Sequence, residues 1–211
     1  MKILQLGKAF PPVKGIGGVE KVIELFYYGL NNNYIDCDVL GVNDKFKYEI
    51  DSYCKNGKVH REKLLKKVQS TYLSLHLIFR LFKISDQYDI IHVHHPDPMS
   101  FLSIFFVRPK AKIVIHWHSD IVRQKVIYFF YQIIEKWMLR RADLILCTTP
   151  KYYDGNTILK PFLQKTNYLV IGYKKDTIHL NENLLNSIQD SKINRKQILF
   201  IGRLVYYKGL E

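Results

Sequence analysis

The sequence predicts an α/β protein organised as a doubly wound parallel sheet. Short apolar runs alternate with longer stretches whose apolar residues recur every three or four positions. The links between them are short, as crossover connections are. Histidines and glycines gather at the ends of the runs, where ligands of such sheets bind.

Ile3-Leu-Gln-Leu6 reads as a buried strand, followed by a loop rich in Pro and Gly. A helix from about Val19 to Leu30 stops before Asn31-Asn-Asn33, and Asp38-Val-Leu-Gly41 is a short second strand. Residues 61 to 84 carry Leu64, Leu65, Val68, Tyr72, Leu75, Ile78, Phe79 and Phe82 at helical spacing, which predicts one amphipathic helix. Asp89-Ile-Ile-His-Val-His94 and Lys112-Ile-Val-Ile-His-Trp117 are strands, with a short helix after Pro98 between them. A long helix over 123 to 141 ends on Arg140-Arg141, where the macrodipole favours cations. Asp143-Leu-Ile-Leu-Cys147 is a further strand and Tyr168-Leu-Val-Ile171 one more. The polar stretch from Asn181 to Lys196 reads as a linker, after which Gln197-Ile-Leu-Phe-Ile201 opens a new strand. The expected organisation is a domain over 1–180, a linker over 181–196, and the start of a second domain over 197–211.

A chain of 211 residues is one domain, or one domain and the beginning of another. Its 47% hydrophobic and 24% charged residues fit a globular protein and argue against disorder. Three widely spaced cysteines make no disulfide framework and favour a reducing compartment. Thirty-two Lys and Arg against nineteen Asp and Glu leave +13, a surface that seeks nucleic acid, anionic lipid or phosphorylated small molecules. No helix-turn-helix, zinc finger or aromatic RNA-binding motif accompanies that charge, so nucleic acid is not an expected partner. Met1 leads straight into a strand rather than an export signal, and no apolar run nears the ~20 residues of a membrane span. The expected location is therefore cytoplasmic.

The loop Gly7-Lys-Ala-Phe-Pro-Pro-Val-Lys-Gly15-Ile-Gly17-Gly18-Val-Glu20 places adjacent glycines just ahead of a helix. There, backbone amides and the helix N-terminus can approach a phosphate or a sugar. The spacing fits neither the dinucleotide fingerprint nor a P-loop, and a plain flexible turn accounts for it equally well. Five of the eight histidines (His92, His94, His95, His116 and His118) fall on the ends of two strands. Alternation puts His92 with His94, and His116 with His118, on one face of their strands. His at i and i+2 on a strand can ligate zinc, yet no adjacent Cys or patterned carboxylate completes a shell. Hydrogen-bonded histidines closing the top of a sheet are the expectation, with no metal. His118, followed by Ser119 and Asp120, stands where a substrate should lie.

Gly17-Gly18-Val-Glu20, His116-Trp-His-Ser-Asp-Ile-Val-Arg-Gln-Lys125 and Gly202-Arg-Leu-Val-Tyr-Tyr-Lys-Gly209, in that order, resemble the N-terminal part of a family 4 retaining glycosyltransferase. The resemblance runs along essentially the whole chain. It implies the GT-B arrangement of two facing Rossmann-like domains, of which this chain would be the N-terminal, acceptor-side half. The second motif is similar to enzymes of surface-polysaccharide and O-antigen assembly, several of them mannosyltransferases. By the resemblance, Gly17 and Gly18 approach the donor phosphate and His118 orients a hydroxyl of the donor sugar. Arg203 and Lys208 neutralise the leaving diphosphate, whose growing negative charge calls for cations in place of a metal. His94, His95, Ser119, Asp120 and Arg123 are candidates for the surrounding cleft.

The implied reaction transfers a hexosyl group such as mannose from a GDP- or UDP-linked sugar to a lipid-linked glycan, with no cofactor. Val170-Ile-Gly-Tyr-Lys-Lys-Asp176 departs from the Gly-Ile-Asp wording usual after the last N-terminal strand. The family's base and ribose contacts and glutamate-containing motif do not appear before Glu211, so the chain reads as a truncated enzyme, a split half or a gene fragment, inactive alone. The alternative is a binding or regulatory half that docks a separate C-terminal domain chain. Arg61, Lys63, Lys66, Lys67, Arg80 and Lys83 give the helix expected over 61 to 84 a basic face. Such a face can meet an anionic membrane, which places the protein peripherally on the inner face of the cell membrane.

Overall fold

The computed structural model describes residues 1–13, 17–68, 71–121 and 125–172, the side chains of 125–130 and 153–154 excepted. All but Gly172 fall in one compact unit, Met1–Ile171. The linker expected over 181–196, the strand from Gln197, Arg203, Lys208 and Arg123 lie outside the described residues.

Strand β1 (Lys2–Leu6) opens the chain and is followed by helix α1 (Gly18–Asn32), β2 (Asp36–Val42), β3 (Glu49–Asp51) and β4 (Val59–Glu62). A hairpin of β5 (Lys66–Val68) and β6 (Thr71–Leu73) leads into α2 (Leu75–Ile84). Then come β7 (Ile90–His95), α3 (Pro98–Val107), β8 (Lys112–Trp117), α4 (Lys125–Arg141), β9 (Leu144–Cys147), α5 (Pro150–Asp154) and β10 (Thr166–Tyr168). The main sheet runs β10-β9-β8-β7-β1-β2-β4-β3, and every pairing in it is parallel except that of the edge strand β3. The chain winds from β1 out through β2 and β4, then returns to β7 on the other side of β1 and winds out again. This is the expected doubly wound α/β sheet, and its direction reverses between β1 and β7.

The two faces of the sheet differ in chemistry. Leu4, Leu6, Leu40, Ile91, Val93, Ile113 and Ile115 face a continuous apolar core shared with Leu77 and Leu81 of α2, Phe101 and Ile104 of α3, and Met138 and Leu139 of α4. Full burial of each such side chain contributes about 1.5–3 kcal/mol. The other face lies under α1. Near β2 it is apolar, with Phe10, Ile23, Tyr27, Val39 and Val59 packed together. Across β1, β7 and β8 it is polar: Gln5 pairs in register with His92, and His94 with His116. Phe26 of α1 meets three of these imidazoles, its ring 4.9 Å from His92, 5.8 Å from His116 and 6.2 Å from His94.

Helix ends follow the sequence. The Asp97 side chain accepts from the backbone amide of Met99 and the hydroxyl of Ser100, and Pro98 takes the first turn, where its missing N–H costs nothing. The last turn of α4 uses its cations: Arg141 donates to the carbonyls of Pro109 and Ala111, both at 3.0 Å, clamping the helix to the turn before β8.

The helix expected over 61 to 84 is the main correction. Only Leu75–Ile84 is helical, and the preceding residues finish β4 and form the β5–β6 hairpin. Leu64, Val68 and Tyr72 recur every four residues, but the hairpin sets Val68 opposite Thr71 and Tyr72 opposite Lys67, which turns Tyr72 inward and leaves Val68 exposed. Arg61 is drawn into the sheet because its guanidinium has partners there: it pairs with Asp51 and donates to the Pro11 carbonyl and, at 3.2 Å, to the Tyr53 hydroxyl. It is 3% exposed, so it offers no charge to a membrane. Lys63, Lys66 and Lys67 are exposed as expected, but on the hairpin and its approach rather than on a helix. The last strand among the described residues is Thr166–Tyr168, slightly earlier than the strand expected over 168–171. Among the described residues no helix is long and apolar enough to cross a membrane.

Candidate active site

The winding direction reverses between β1 and β7, and ligands of such sheets bind beyond the carboxyl ends of the strands at that point. The glycine loop leaves β1 at Gly7, and β7 ends on His95-Pro96-Asp97. His118 follows β8, the next strand, and its backbone amide donates to the His95 carbonyl at 3.0 Å. The topology thus delivers the glycine loop and His118 to one edge of the sheet.

Gly17 precedes α1 with extended backbone, and its amide donates to the Glu20 carboxylate at 2.8 Å. Glu20, 5% exposed, also meets the Lys8 ammonium at 3.8 Å. The α1 N-terminus therefore carries its own buried acid, which an incoming anion would have to displace or share. The two glycines that frame the loop do different jobs. A side chain on Gly7 would meet Ile23 Cδ1 at 2.4 Å, so its absence lets α1 pack on β1. A side chain on Gly18 would meet nothing within 4 Å among the described residues. Internal packing does not call for glycine at 18, which leaves room there for a group from outside.

His118 is fixed by its neighbours. Its Nε2 lies 2.9 Å from His94 Nδ1, and its ring stacks 4.3 Å from that of His116. His94 in turn reaches Gln5 Oε1 through Nε2 at 2.8 Å. With that oxygen as acceptor, His94 Nε2–H donates to Gln5, His94 Nδ1 accepts from His118 Nε2–H, and His118 Nδ1 is left as an acceptor. Burial pushes the His118 imidazole down to about 3, helped by the neighbouring His116 and His95. His92 lies at about 3, chiefly from burial and then from His116 and His118; burial alone takes His116 to about 4. His94 is held well below the ordinary range, first by burial and then by the other three rings. At neutral pH the whole group is uncharged. His118 can orient a hydroxyl by hydrogen bonding but brings no positive charge to a phosphate.

The other expected site residues divide. His94 lies directly behind His118 and is fully buried, a support rather than a surface group. His95 is a correction: it points to the opposite face, where its ring stacks 3.7 Å from Trp117 and its Nε2 lies 3.0 Å from Glu135 Oε1. Consecutive residues of a strand cannot share a face. Ser119 is exposed beside His118. Asp120 is engaged internally, accepting from Trp117 Nε1 at 2.8 Å and from Asn156 Nδ2 at 2.9 and 3.1 Å, which ties the end of β8 to the turn before β10. Gln5, His92 and His116 belong to the site's support and were not singled out as site residues from the sequence. A lone amide inside the apolar run Ile3-Leu-Gln-Leu6 was the available signal for Gln5.

The chain matches the description Glycosyltransferase Family 4 over residues 16–154. It is 30% identical over 210 residues to O-antigen chain mannosyltransferase C of Escherichia coli, a match that covers all of this chain and 56% of that protein. It is 26% identical over 210 residues to D-rhamnosyltransferase WbpZ of Pseudomonas aeruginosa, covering 55% of it. The chain thus spans about half the length of the curated relatives it matches. Among solved structures, sucrose-phosphate synthase from Thermosynechococcus elongatus superposes with a TM-score of 0.57 at 14% identity, covering 82% of this chain and 49% of that one. That likeness concerns the fold alone. The family match covers more than half of the sequence, including the glycine pair and His118, and the chain belongs to glycosyltransferase family 4.

Proposed function

We propose that this chain is the acceptor-side half of a retaining glycosyltransferase of polysaccharide or O-antigen assembly. It would move a hexosyl group such as mannose from a GDP- or UDP-linked sugar to a lipid-linked glycan, without a metal or other cofactor in the transfer. The observation that carries the reading is His118, a neutral imidazole braced by His94 and Gln5 at the carboxyl edge of the sheet, beside the reversal of winding. In this reading His118 accepts a hydrogen bond from a sugar hydroxyl and holds the reacting carbon in line, a positioning effect that raises the rate. The space over Gly18 admits the donor's phosphate end toward the first amides of α1. Arg203 and Lys208 would then offset the charge that grows on the departing nucleotide. The names of the relatives, a mannosyltransferase and a rhamnosyltransferase, support the sugar class.

A lipid-linked acceptor requires a bilayer nearby. Helix α2 supports this in a form different from the helix expected: Leu77, Leu81 and Ile84 are buried, while Leu75, Phe79 and Phe82 form a second, outer stripe. Phe79 is 63% and Phe82 71% exposed, with Lys83 adjoining them. Aromatic side chains next to cations suit the interface of an anionic membrane.

The transfer itself is tested with radiolabelled GDP-mannose, UDP-glucose and UDP-galactose and a pool of lipid-linked acceptors. The chain is assayed alone and joined to the C-terminal half of the Escherichia coli relative. Transfer by the joined protein and none by the chain alone is the expected result. Labelled product from the chain alone would overturn the half-site reading. If the joined protein folds, binds the nucleotide sugar and still transfers nothing to any acceptor, the glycosyltransferase reading fails.

A further inference from the structure

The polar ladder under α1 contains more unsatisfied nitrogen than a hydrogen-bonded cluster should. Among the described residues, both ring nitrogens of His116 and the Nε2 of His92 are buried without a hydrogen-bond partner. His116 and His94 are 0% exposed, and His92 is 6% exposed. Leaving a buried polar atom unpaired destabilises the fold. Valine or isoleucine, which already dominate β7 and β8, would avoid that cost at both positions.

The nitrogens also converge. One ligand atom from each of His92, His94 and His116 can be chosen so that all three lie within 4.8 Å of one another. A zinc ion with Zn–N bonds of about 2.0 Å needs its ligands roughly 3.3 Å apart, so the nitrogens must draw in and the rings, now stacked at 14° and 20° to His116, must tilt toward a common point. His94 joins it by releasing its bond to either Gln5 or His118. His118, stacked on His116 and only part-buried, borders the remaining side and links the cluster to the edge of the sheet.

We propose that His92, His94 and His116 form a three-imidazole site for a late first-row divalent cation such as zinc, nickel or copper. Neutral imidazole is the ligand these ions prefer, whereas calcium and magnesium demand oxygen. The ligands come from two adjacent strands, so a bound ion would cross-link β7 and β8 beneath Phe26. The ion has no part in the glycosyl transfer proposed above, but it draws on His94, which also braces His118, so its test reads metal binding and not transfer.

Cobalt(II) is the probe, added at pH 7.5 to untagged, chelator-treated full chain. One equivalent should bind, with the visible ligand-field absorption of a tetrahedral nitrogen site, and zinc should displace it. X-ray absorption of the zinc form should show three imidazole ligands. His116→Thr and His92→Gln should each weaken cobalt binding by more than the roughly 10–100-fold that loss of a supporting partner costs. His60→Gln and His76→Gln, outside the cluster, should leave it unchanged. Circular dichroism confirms which variants fold, and the wild-type absorption spectrum decides the matter should both cluster variants fail. No saturable cobalt binding, fewer than three imidazoles in the zinc form, or equal binding by a folded cluster variant would overturn the site.

Discussion

One ring nitrogen of His118 is tied to His94. In the proposed reading the other would hold a sugar hydroxyl, and the residue would act by direction rather than charge. His118→Ala in the joined, transferring protein should lower turnover by roughly a hundredfold or more, the scale of a lost positioned polar group, with a smaller change in KM. Steady-state kinetics with a saturating acceptor measures this, and unchanged turnover would return His118 to a packing role. The glycines of the same loop give a second contrast. Gly7→Ala drives a methyl into Ile23 of the core and should cost about 1–3 kcal/mol, read as a lowered melting temperature. Gly18→Val should leave the melting temperature nearly unchanged but weaken donor use, because it fills space that only a ligand would occupy. A large stability loss in Gly18→Val would show that the open space is not open.

Strands β7 and β8 share an unusual liability, since they bury four neighbouring imidazoles uncharged. His92 and His118 are held at about 3 and His116 at about 4, against about 6.5 in an unfolded chain. Below pH 6.5 the unfolded chain takes up protons that the folded chain refuses. The stability these groups contribute is therefore complete above pH 6.5 and declines toward pH 4, by up to about 1.4 kcal/mol per group per pH unit. Thermal melts from pH 7.5 to 4.5 should show a steep fall, shallower in His92→Gln; equal slopes would mean the imidazoles are hydrated or charged in the folded state. The face this ladder occupies was legible in the sequence, because histidines at 92, 94, 116 and 118 obey the two-residue period of a strand. What the residues touch was not: Glu135 and Asn156, which engage His95 and Asp120, lie 40 and 36 residues away along the chain. The stretch from 61 to 84 misled for a different reason. A four-residue apolar repeat does not distinguish hairpin from helix, and the ion pair that draws Arg61 into β4 depends on Asp51 arriving on β3.

At the scale of the molecule the dominant quantity is the net charge of +13. Charge alone gives attraction without orientation, whereas the outer stripe of α2 gives a direction in which to approach a bilayer. Replacing Lys63, Lys66 and Lys67 by Gln should lower partitioning into phosphatidylserine vesicles on the order of a hundredfold at low salt, with the parent's affinity falling as salt rises. Phe79→Ser with Phe82→Ser should lower it as well while leaving the melting temperature unchanged, since both rings are already in solvent. Vesicle co-sedimentation measures both, and a parent protein that partitions no better than either variant would mean that this surface does not meet lipid.

The placement of β1 at the centre of the sheet also governs how the molecule comes to exist. β1 is synthesised before the other described strands, yet one of its two neighbours is β7, with Ile3 against Ile90. Every element from α1 to α2 must be synthesised before that side of β1 can pair. Contacts so distant along the chain close slowly, because the loop entropy is lost before any pairing is gained. Until then an apolar strand that will end fully enclosed has one open edge, available to other nascent chains. The same reversal of winding thus makes β1 wait longest, among the described strands, for its second neighbour, and growth temperature and translation speed should govern how much of the protein reaches the native state.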